Sequence, residues 1–364
     1  MPKNKLNPTT RKTKIKKIFR NDFNRSTPDP EPLRFANDPP PWRVFGKKVD
    51  VTGSFQQKKM DSDQMRRGQQ YQAEEIETRM INAALVLRRP LLISGHAGVG
   101  KTSLAYAVAW QLGLGNVLRW SITSRSTLRE ALYEYDAIAR LQDASLQKSG
   151  IGNANANNIG QYITLGPLGT ALLPNKSGPY QPRVLLIDEI DKSDIDLPND
   201  LLHVFEEGTF EIPEIARYKH KNGQKTVAVR TWRSTLTANV PSNGIVTSDD
   251  FPLVILTTNG EREFSPAFRR RCLEITIARP GREKLERIIR SQLNLQGKLD
   301  DKVQYLLDQF ELRMRDERFG LAVDQLLNSI YLAQSKADVD PTEYKTLLDT
   351  IFHSLTDQTS ISEI

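Results

Sequence analysis

Eight consecutive residues constrain this chain more than any other feature. Gly95-His96-Ala97-Gly98-Val99-Gly100-Lys101-Thr102 satisfies G-x-x-x-x-G-K-[ST] without a departure. Pro90 to Gly95 reads as a short buried strand ending in glycine, and Thr102 to Leu114 as a helix, so the motif has the strand–loop–helix setting it needs. Glycines let the main chain curl closely enough for its N–H groups to converge on phosphate oxygens. The helix that follows adds the positive end of its dipole. Lys101 can reach β- and γ-phosphates as a point charge, and the Thr102 hydroxyl can be placed on Mg²⁺. Gly95 to Thr102, with Ser103 behind it, is therefore the expected nucleotide-binding run; His96 falls at a variable position and receives no chemical role.

A second stretch supplies acid. Val184-Leu185-Leu186-Ile187 is a continuous apolar run, the pattern of a parallel strand covered on both faces, and it ends in Asp188-Glu189. Beside the phosphate loop, Asp188 would hold Mg²⁺ through its water shell and Glu189 would polarise an attacking water. Adjacent carboxylates repel unless a cation stands near, and Mg²⁺ with Lys101 supplies one. Asp191 and Lys192, just beyond, read as surface residues. Asn259 ends the apolar strand Leu256-Thr257-Thr258-Asn259, where its amide could meet the attacking water or the γ-phosphate; a turn before Gly260 is its plainer use. Ser265 to Cys272 puts Arg269, Arg270 and Arg271 at the end of a short helix. Arginine forks match phosphate geometry, and in an oligomer one could reach a neighbour's γ-phosphate; complementing the helix dipole is the alternative.

Further strands are expected at Val117–Thr123, Leu253–Leu256 and Leu273–Ile277. Helices are expected at Glu74–Leu87, with Ile76, Met80, Ala83, Ala84 and Leu87 on one face, and at Leu128–Leu141. Strands separated by helices argue for an α/β sheet. Residues 282–296 and 300–355 carry only helical patterns, so the division is an α/β domain over 43–280 and a small all-α domain over 281–364. Residues 1–42 read as an unfolded tail: eight of the 20 prolines fall in the first 41 residues. Residues 1–20 hold eight lysines and arginines and no acid, so of the net charge of +7 the rest of the chain accounts for −1. Such a tail attracts nucleic acid or an acidic protein, or is simply a solvated extension. Trp42 and Phe45 read as a packed aromatic pair, and Ser149 to Asn158 as a low-complexity surface loop. With one cysteine and four histidines, an intrachain disulfide and a cysteine-based zinc site are excluded. Mean hydropathy is −0.49, no apolar run approaches the ~20 residues of a spanning helix, and no secretory h-region is visible, so a cytoplasmic protein without membrane contact is expected.

Taken in order, these segments resemble the AAA+ ATPase superfamily, and specifically its MoxR and dynein-related branch, over roughly residues 74–350. The residues that carry the resemblance are the loop 95–102, Gly166-Pro167-Leu168-Gly169-Thr170, Leu186 to Ser193, the helix Asp200 to Gly208, and Phe264 to Cys272. The resemblance implies a P-loop fold with a five-stranded parallel sheet and a C-terminal helical lid. It implies a ring, usually hexameric, binding ATP and Mg²⁺ between subunits. It assigns Asp188 and Glu189 to the Walker B pair and Asn259 to the first sensor. Arg271 becomes the arginine finger, with Arg270 as the next candidate. Relatives of this type commonly remodel or assemble proteins with a von Willebrand A-type partner, and the closest are expected in bacterial conflict or stress systems.

Two departures stand out. Asp324 occupies the position where a lid arginine is usual; Arg318 is the candidate substitute. The stretch between Glu211 and Asp250 is long, and Asn222-Gly223 suggests a hairpin over 215–230, decorated by Arg217, Lys219, His220, Lys221, Lys225 and Arg230. In the family such a hairpin can face the pore, and Tyr133 and Tyr135 lie in a segment used near it, although both could equally pack under the flexible loop. The first reading is an ATP-driven protein remodeller. A nucleic-acid motor on the same core ranks second, and a non-hydrolysing assembly switch third.

Overall fold

The computed structural model describes residues 18–20, 27–29, 39–43, 60–149, 158–174, 180–220, 223–293, 295, 297–314 and 321–334. The basic residues before Ile18, Phe45, the segment 150–157, Lys221, Asn222, Arg318 and all beyond 334 lie outside the described residues.

Among the described residues, a 3₁₀ turn at Pro41–Arg43 is followed by α1 (Ser62–Gln70) and α2 (Glu75–Leu87), then β1 (Leu91–Ser94) and α3 (Lys101–Gln111). Next come β2 (Leu118–Ser121), α4 (Leu128–Leu132), β3 (Tyr133–Tyr135), α5 (Ala137–Lys148), β4 (Ile163–Leu165) and α6 (Pro167–Ala171). β5 (Val184–Asp188) leads to α7 (Leu197–Glu207), β6 (Thr209–Glu211), α8 (Pro213–Ala216), β7 (Thr226–Arg230), β8 (Thr237–Pro241) and β9 (Ile245–Thr247). β10 (Leu253–Thr258), α9 (Pro266–Arg271) and β11 (Leu273–Thr276) precede α10 (Arg282–Leu293), α11 (Asp301–Met314) and α12 (Val323–Gln334), the last helices among the described residues.

Five parallel strands form the main sheet in the order β11-β1-β10-β5-β2. Alternate residues serve opposite faces. Leu91, Ile93, Val184, Leu186, Leu253 and Ile255 pack on α2 and α3, while Leu92, Leu185, Ile187, Val254 and Leu256 pack toward α4, α6 and α7. Both faces are covered, which is why the central strands are continuous apolar runs. β1, β10 and β5 are neighbours, so the chain leaving their carboxyl ends arrives at one crevice. Helices α10, α11 and α12 enclose an apolar cluster of their own, including Leu285, Ile289, Leu307, Phe310 and Leu326. Among the described residues no helix is long and apolar enough to cross a membrane.

Several expectations are corrected. Inside the segment read as an unfolded tail, Ile18 and Phe19 are buried in the core, and the Asn82 amide bonds both backbone groups of Phe19, accepting at 2.7 Å and donating at 3.0 Å. An apolar pair inside a basic string is enough to anchor it once a buried amide satisfies its backbone. Trp42 does not pack; it is 78% exposed, and its neighbour Arg43 makes the contact instead, donating to the Phe205 carbonyl at 3.0 Å and lying over the Phe251 ring. The buried face of α2 is rotated from the expected one: Ile76 is exposed, and Glu77, Ile81, Asn82, Ala84 and Leu85 are inside. Polar Glu77 and Asn82 hold those places because each has partners there.

The helix expected over Leu128–Leu141 is two helices divided by β3, where Tyr133-Glu134-Tyr135 pairs antiparallel with β4. Asn222 of the expected Asn222-Gly223 turn lies outside the described residues, and the hairpin that is described lies further along the chain. Ile215 and Ala216 lie in α8, and β7 pairs instead with β8 across residues 231–236, where Thr231 closes the turn on the Leu236 carbonyl. Strict alternation suits this pairing: Val227, Val229, Ala238 and Val240 all point into the core. β3, β4, β7 and β8 form a second, four-stranded sheet, so two separate insertions share one layer.

Candidate functional site

The loop after β1 turns on glycines. Gly98 and Gly100 adopt φ of 74° and 96°, values that side chains disfavour. A Cβ on Gly100 would stand 2.8 Å from the Tyr71 ring, and one on Gly98 would overlap Ala322 at the start of α12. α3 then begins at Lys101 and runs through the core. Lys101 is 7% exposed and its ammonium donates to the carbonyls of Gly95 (2.6 Å) and His96 (2.8 Å) and to Asn259 Oδ1 (2.8 Å). Burial lowers its pKa below the ordinary lysine value, opposed first by Asp191 and then by Asp188, Glu189 and Glu261.

Asp188 closes β5, 5% exposed, with four donors around it. Its Oδ1 accepts from the hydroxyls of Thr102 (2.9 Å) and Thr257 (2.7 Å), and its Oδ2 from Arg119 Nε (3.0 Å) and Nη2 (2.6 Å). Glu189 leaves the strand in the left-handed region, φ 61°, with its amide on the Thr257 hydroxyl at 2.9 Å. Its carboxylate pairs with Lys192 at 2.8 Å and is half-exposed, so the two acids of the pair face different partners. Asn259 follows β10 directly; besides meeting Lys101, its amide nitrogen Nδ2 donates to Glu261 at 3.2 Å.

The arginines of α9 stand apart from this cluster. Ser265 caps the helix. Arg269 forks onto Glu274 at 2.9 and 2.8 Å, Arg271 pairs with Glu206 and donates to the Ala267 carbonyl, and exposed Arg270 donates to the Pro266 carbonyl at 3.2 Å. Neither Arg270 nor Arg271 is bonded to the Lys101 and Asp188 group of the same chain.

On the other side of the loop lies a cavity of about 330 Å³, lined by Arg66, Tyr71, Val99, Ser103, Lys284 and Asp324 among others. Its wall is braced by the buried Glu77, which accepts from the Tyr71 hydroxyl (2.9 Å), the Glu74 amide (3.1 Å) and Lys284 (3.2 Å). Burial and the neighbouring Glu77 hold the Tyr71 phenol well above its ordinary pKa. Asp324 reaches the cavity from α12.

Among the described residues no group of three or more His, Cys, Asp or Glu could cage a metal. The adjacent oxygens of Thr102 and Asp188 suit the other mode open to Mg²⁺, one or two protein oxygens completed by phosphates and water. Sequence reasoning missed three participants. Arg119 carries no motif signal at all; Tyr71 lies ahead of any recognised segment; Asp191, read as a surface residue, is 5% exposed. The D-x-x-D spacing from Asp188 was the one available hint for Asp191. Tyr133 is buried in β3 and Tyr135 bonds Arg140 at 2.9 Å, so both pack.

Residues 91–280 match the family model described as ATPase family associated with various cellular activities (AAA). A curated relative, "Chaperone protein ClpB" of Prochlorococcus marinus, is 26% identical over 268 residues, covering 71% of this chain and 26% of its own length. Among solved structures, the "S. cerevisiae Hsp104-ADP complex" aligns over 60% of this chain and 34% of that one, at 16% identity and a TM-score of 0.31. The chain spans about a quarter of the length of the curated relative it matches.

Proposed function

The chain belongs to the AAA family of ATPases, and from that premise we propose that it hydrolyses ATP at the Lys101 site and uses the cycle to remodel or assemble a protein partner from within a ring. One observation carries the hydrolytic reading: Lys101 is hydrogen-bonded to Asn259, and its neighbour Thr102 to Asp188, at the carboxyl ends of three adjacent strands. Lys101 would exchange the Gly95 and His96 carbonyls for phosphate oxygens, keeping Asn259 beside it. Mg²⁺, when bound with the nucleotide, neutralises charge growing on the phosphates. Thr102 and Asp188 would hold it, with the Arg119 fork fixing the Asp188 carboxylate beside Thr102. Glu189 would act as base, turning from Lys192 to the attacking water. Arg271, released from Glu206, would complete a neighbouring subunit's site across the ring; exposed Arg270 is the next arginine in reach. The cavity beside the loop would take the base and ribose, with α10–α12 as a lid domain over 281–364 and the α/β domain over 43–280.

The finer reading is a MoxR-type remodeller with a von Willebrand A-type partner. The β7–β8 hairpin, an insertion between α7 and β10, supports it, while the curated relative's being named a chaperone supports only action on proteins in general. The test is Glu189→Gln. Phosphate release should fall on the order of 100-fold or more, while a fluorescent ATP analogue still binds and Lys101→Ala abolishes that binding. Parental turnover in Glu189→Gln would remove Glu189 from the mechanism.

A further inference from the structure

Asp191 is buried, and no step described so far uses it. It sits in the one-turn 3₁₀ segment Ile190–Lys192 that follows the acidic strand end. Its Oδ2 accepts two main-chain donors from the next strand's exit loop, Asn259 N at 2.9 Å and Glu261 N at 3.2 Å. Its Oδ1 is buried with no hydrogen-bond partner. The same two segments are stitched again one step along, where Arg262 donates to the Ser193 carbonyl (2.8 Å), the Ser193 hydroxyl (3.2 Å) and the Asp194 carbonyl (3.4 Å). Asp191 is also the first of the carboxylates that raise the pKa of Lys101 against its burial, and Lys101 is the group that Asn259 Oδ1 meets at 2.8 Å.

We propose that Asp191 is a positioning residue for hydrolysis: it registers Asn259 against Lys101 and ties that loop to the strand end bearing Asp188 and Glu189. The chemistry favours a carboxylate here. Two amide N–H groups converge on a single oxygen, and an ionised acid accepts both without presenting a donor of its own. With those bonds in place, the Asn259 backbone cannot shift relative to β5, so its side chain meets Lys101 at hydrogen-bond distance. Without them the bonds from that loop to the segment after Glu189 are those of Arg262, three residues along the chain from Asn259. A misplacement of about 1 Å at such a group costs on the order of 100-fold in rate.

The inference rests on the proposed hydrolysis at this site, and the experiment separates the two. Asp191→Ala, Asp191→Asn, Asn259→Ala and the double variant Asp191→Asn/Asn259→Ala are compared in the full chain for kcat, for the affinity of a fluorescent ATP analogue with Mg²⁺, and for Tm. Asp191→Ala should lose about 100-fold in kcat with analogue affinity within about threefold of the parent. Asp191→Asn, which keeps an acceptor oxygen at the same place, should recover part of the loss. The double variant should be no slower than Asn259→Ala alone, because Asp191 acts through Asn259. Multiplying losses in the double variant, or parental kcat in Asp191→Ala, would overturn the assignment. If Asp191→Ala fails to fold, the cycle built on Asp191→Asn decides. A parental chain with no turnover overturns the hydrolytic reading and this inference with it, whereas a turning-over parent with additive losses overturns this inference alone.

Discussion

A carboxylate buried at a strand end has to find donors, and Asp188 finds four of them in Thr102, Thr257 and the Arg119 fork. No single sequence position announces that arrangement. Thr102 belongs to a motif, Thr257 is one residue of an apolar strand, and Arg119 interrupts β2, where its register beside β5 brings it two residues short of Asp188. A cation in the middle of a four-residue strand looks like noise until the neighbouring strand is known. Cys272 shows how burial controls chemistry at one residue. Burial raises its thiol pKa from an ordinary 9.0 to about 12. Between those values the folded chain holds a proton the unfolded chain has lost, so stability should fall as pH rises through that window. At mildly alkaline pH, below that window, the folded protein should resist a thiol-alkylating reagent that modifies the urea-unfolded chain readily; equal rates in the two states would refute the burial.

At the scale of elements, legibility followed how each one buries itself. The three central sheet strands were readable because covered parallel strands are unbroken apolar runs, the edge strands β2 and β11 because apolar and polar residues alternate in them, and the phosphate loop because its glycines are fixed by spacing. α1 was not readable. Its sequence Ser-Asp-Gln-Met-Arg-Arg-Gly-Gln-Gln has no apolar stripe, and it packs on α3 through a notch at Gly68. A Cβ there would stand 2.5 Å from the Tyr106 carbonyl oxygen and 2.8 Å from Trp110 Cβ, atoms that cannot swing aside. Gly68→Ala gains about 1 kcal/mol of helix propensity, but overpacking costs roughly 1–3 kcal/mol. The substitution should therefore lower Tm, and a rise would show that the two helices have room to separate. The division of Leu128–Leu141 by β3 escaped for the opposite reason: a helical period continues across Tyr133-Glu134-Tyr135, and only the pairing with β4 overrides it.

Across the whole molecule, the helical end is joined to the core by charge in a dry place. Lys284 of α10 lies 3.2 Å from the buried Glu77 of α2 and 3.7 Å from Glu74, while Arg287 reaches Glu74 at 3.2 Å. Breaking a buried pair by removing one partner strands the other, a cost of about 3–5 kcal/mol, and only replacing both partners by apolar residues of similar volume comes close to neutral. Glu77→Ala also removes the acceptor of Tyr71 and Glu74, so it should destabilise the chain more than Lys284→Met in urea unfolding; the reverse order would contradict the geometry. The sequence offered the α/β layering and the helical end, but not the strand order or this cross-link, since both depend on residues far apart in the chain, Glu77 and Lys284 being 207 positions from each other. The second sheet has a mechanical corollary. Strands β3 and β4 enter the chain before β5, β7 and β8 after it, yet Thr164 pairs with Arg230, and the Trp232 amide is tethered to Thr170 at 3.0 Å. A tug on either insertion is thus a tug on both, and α6, wedged between them and β5, conveys it to the root of the acidic strand.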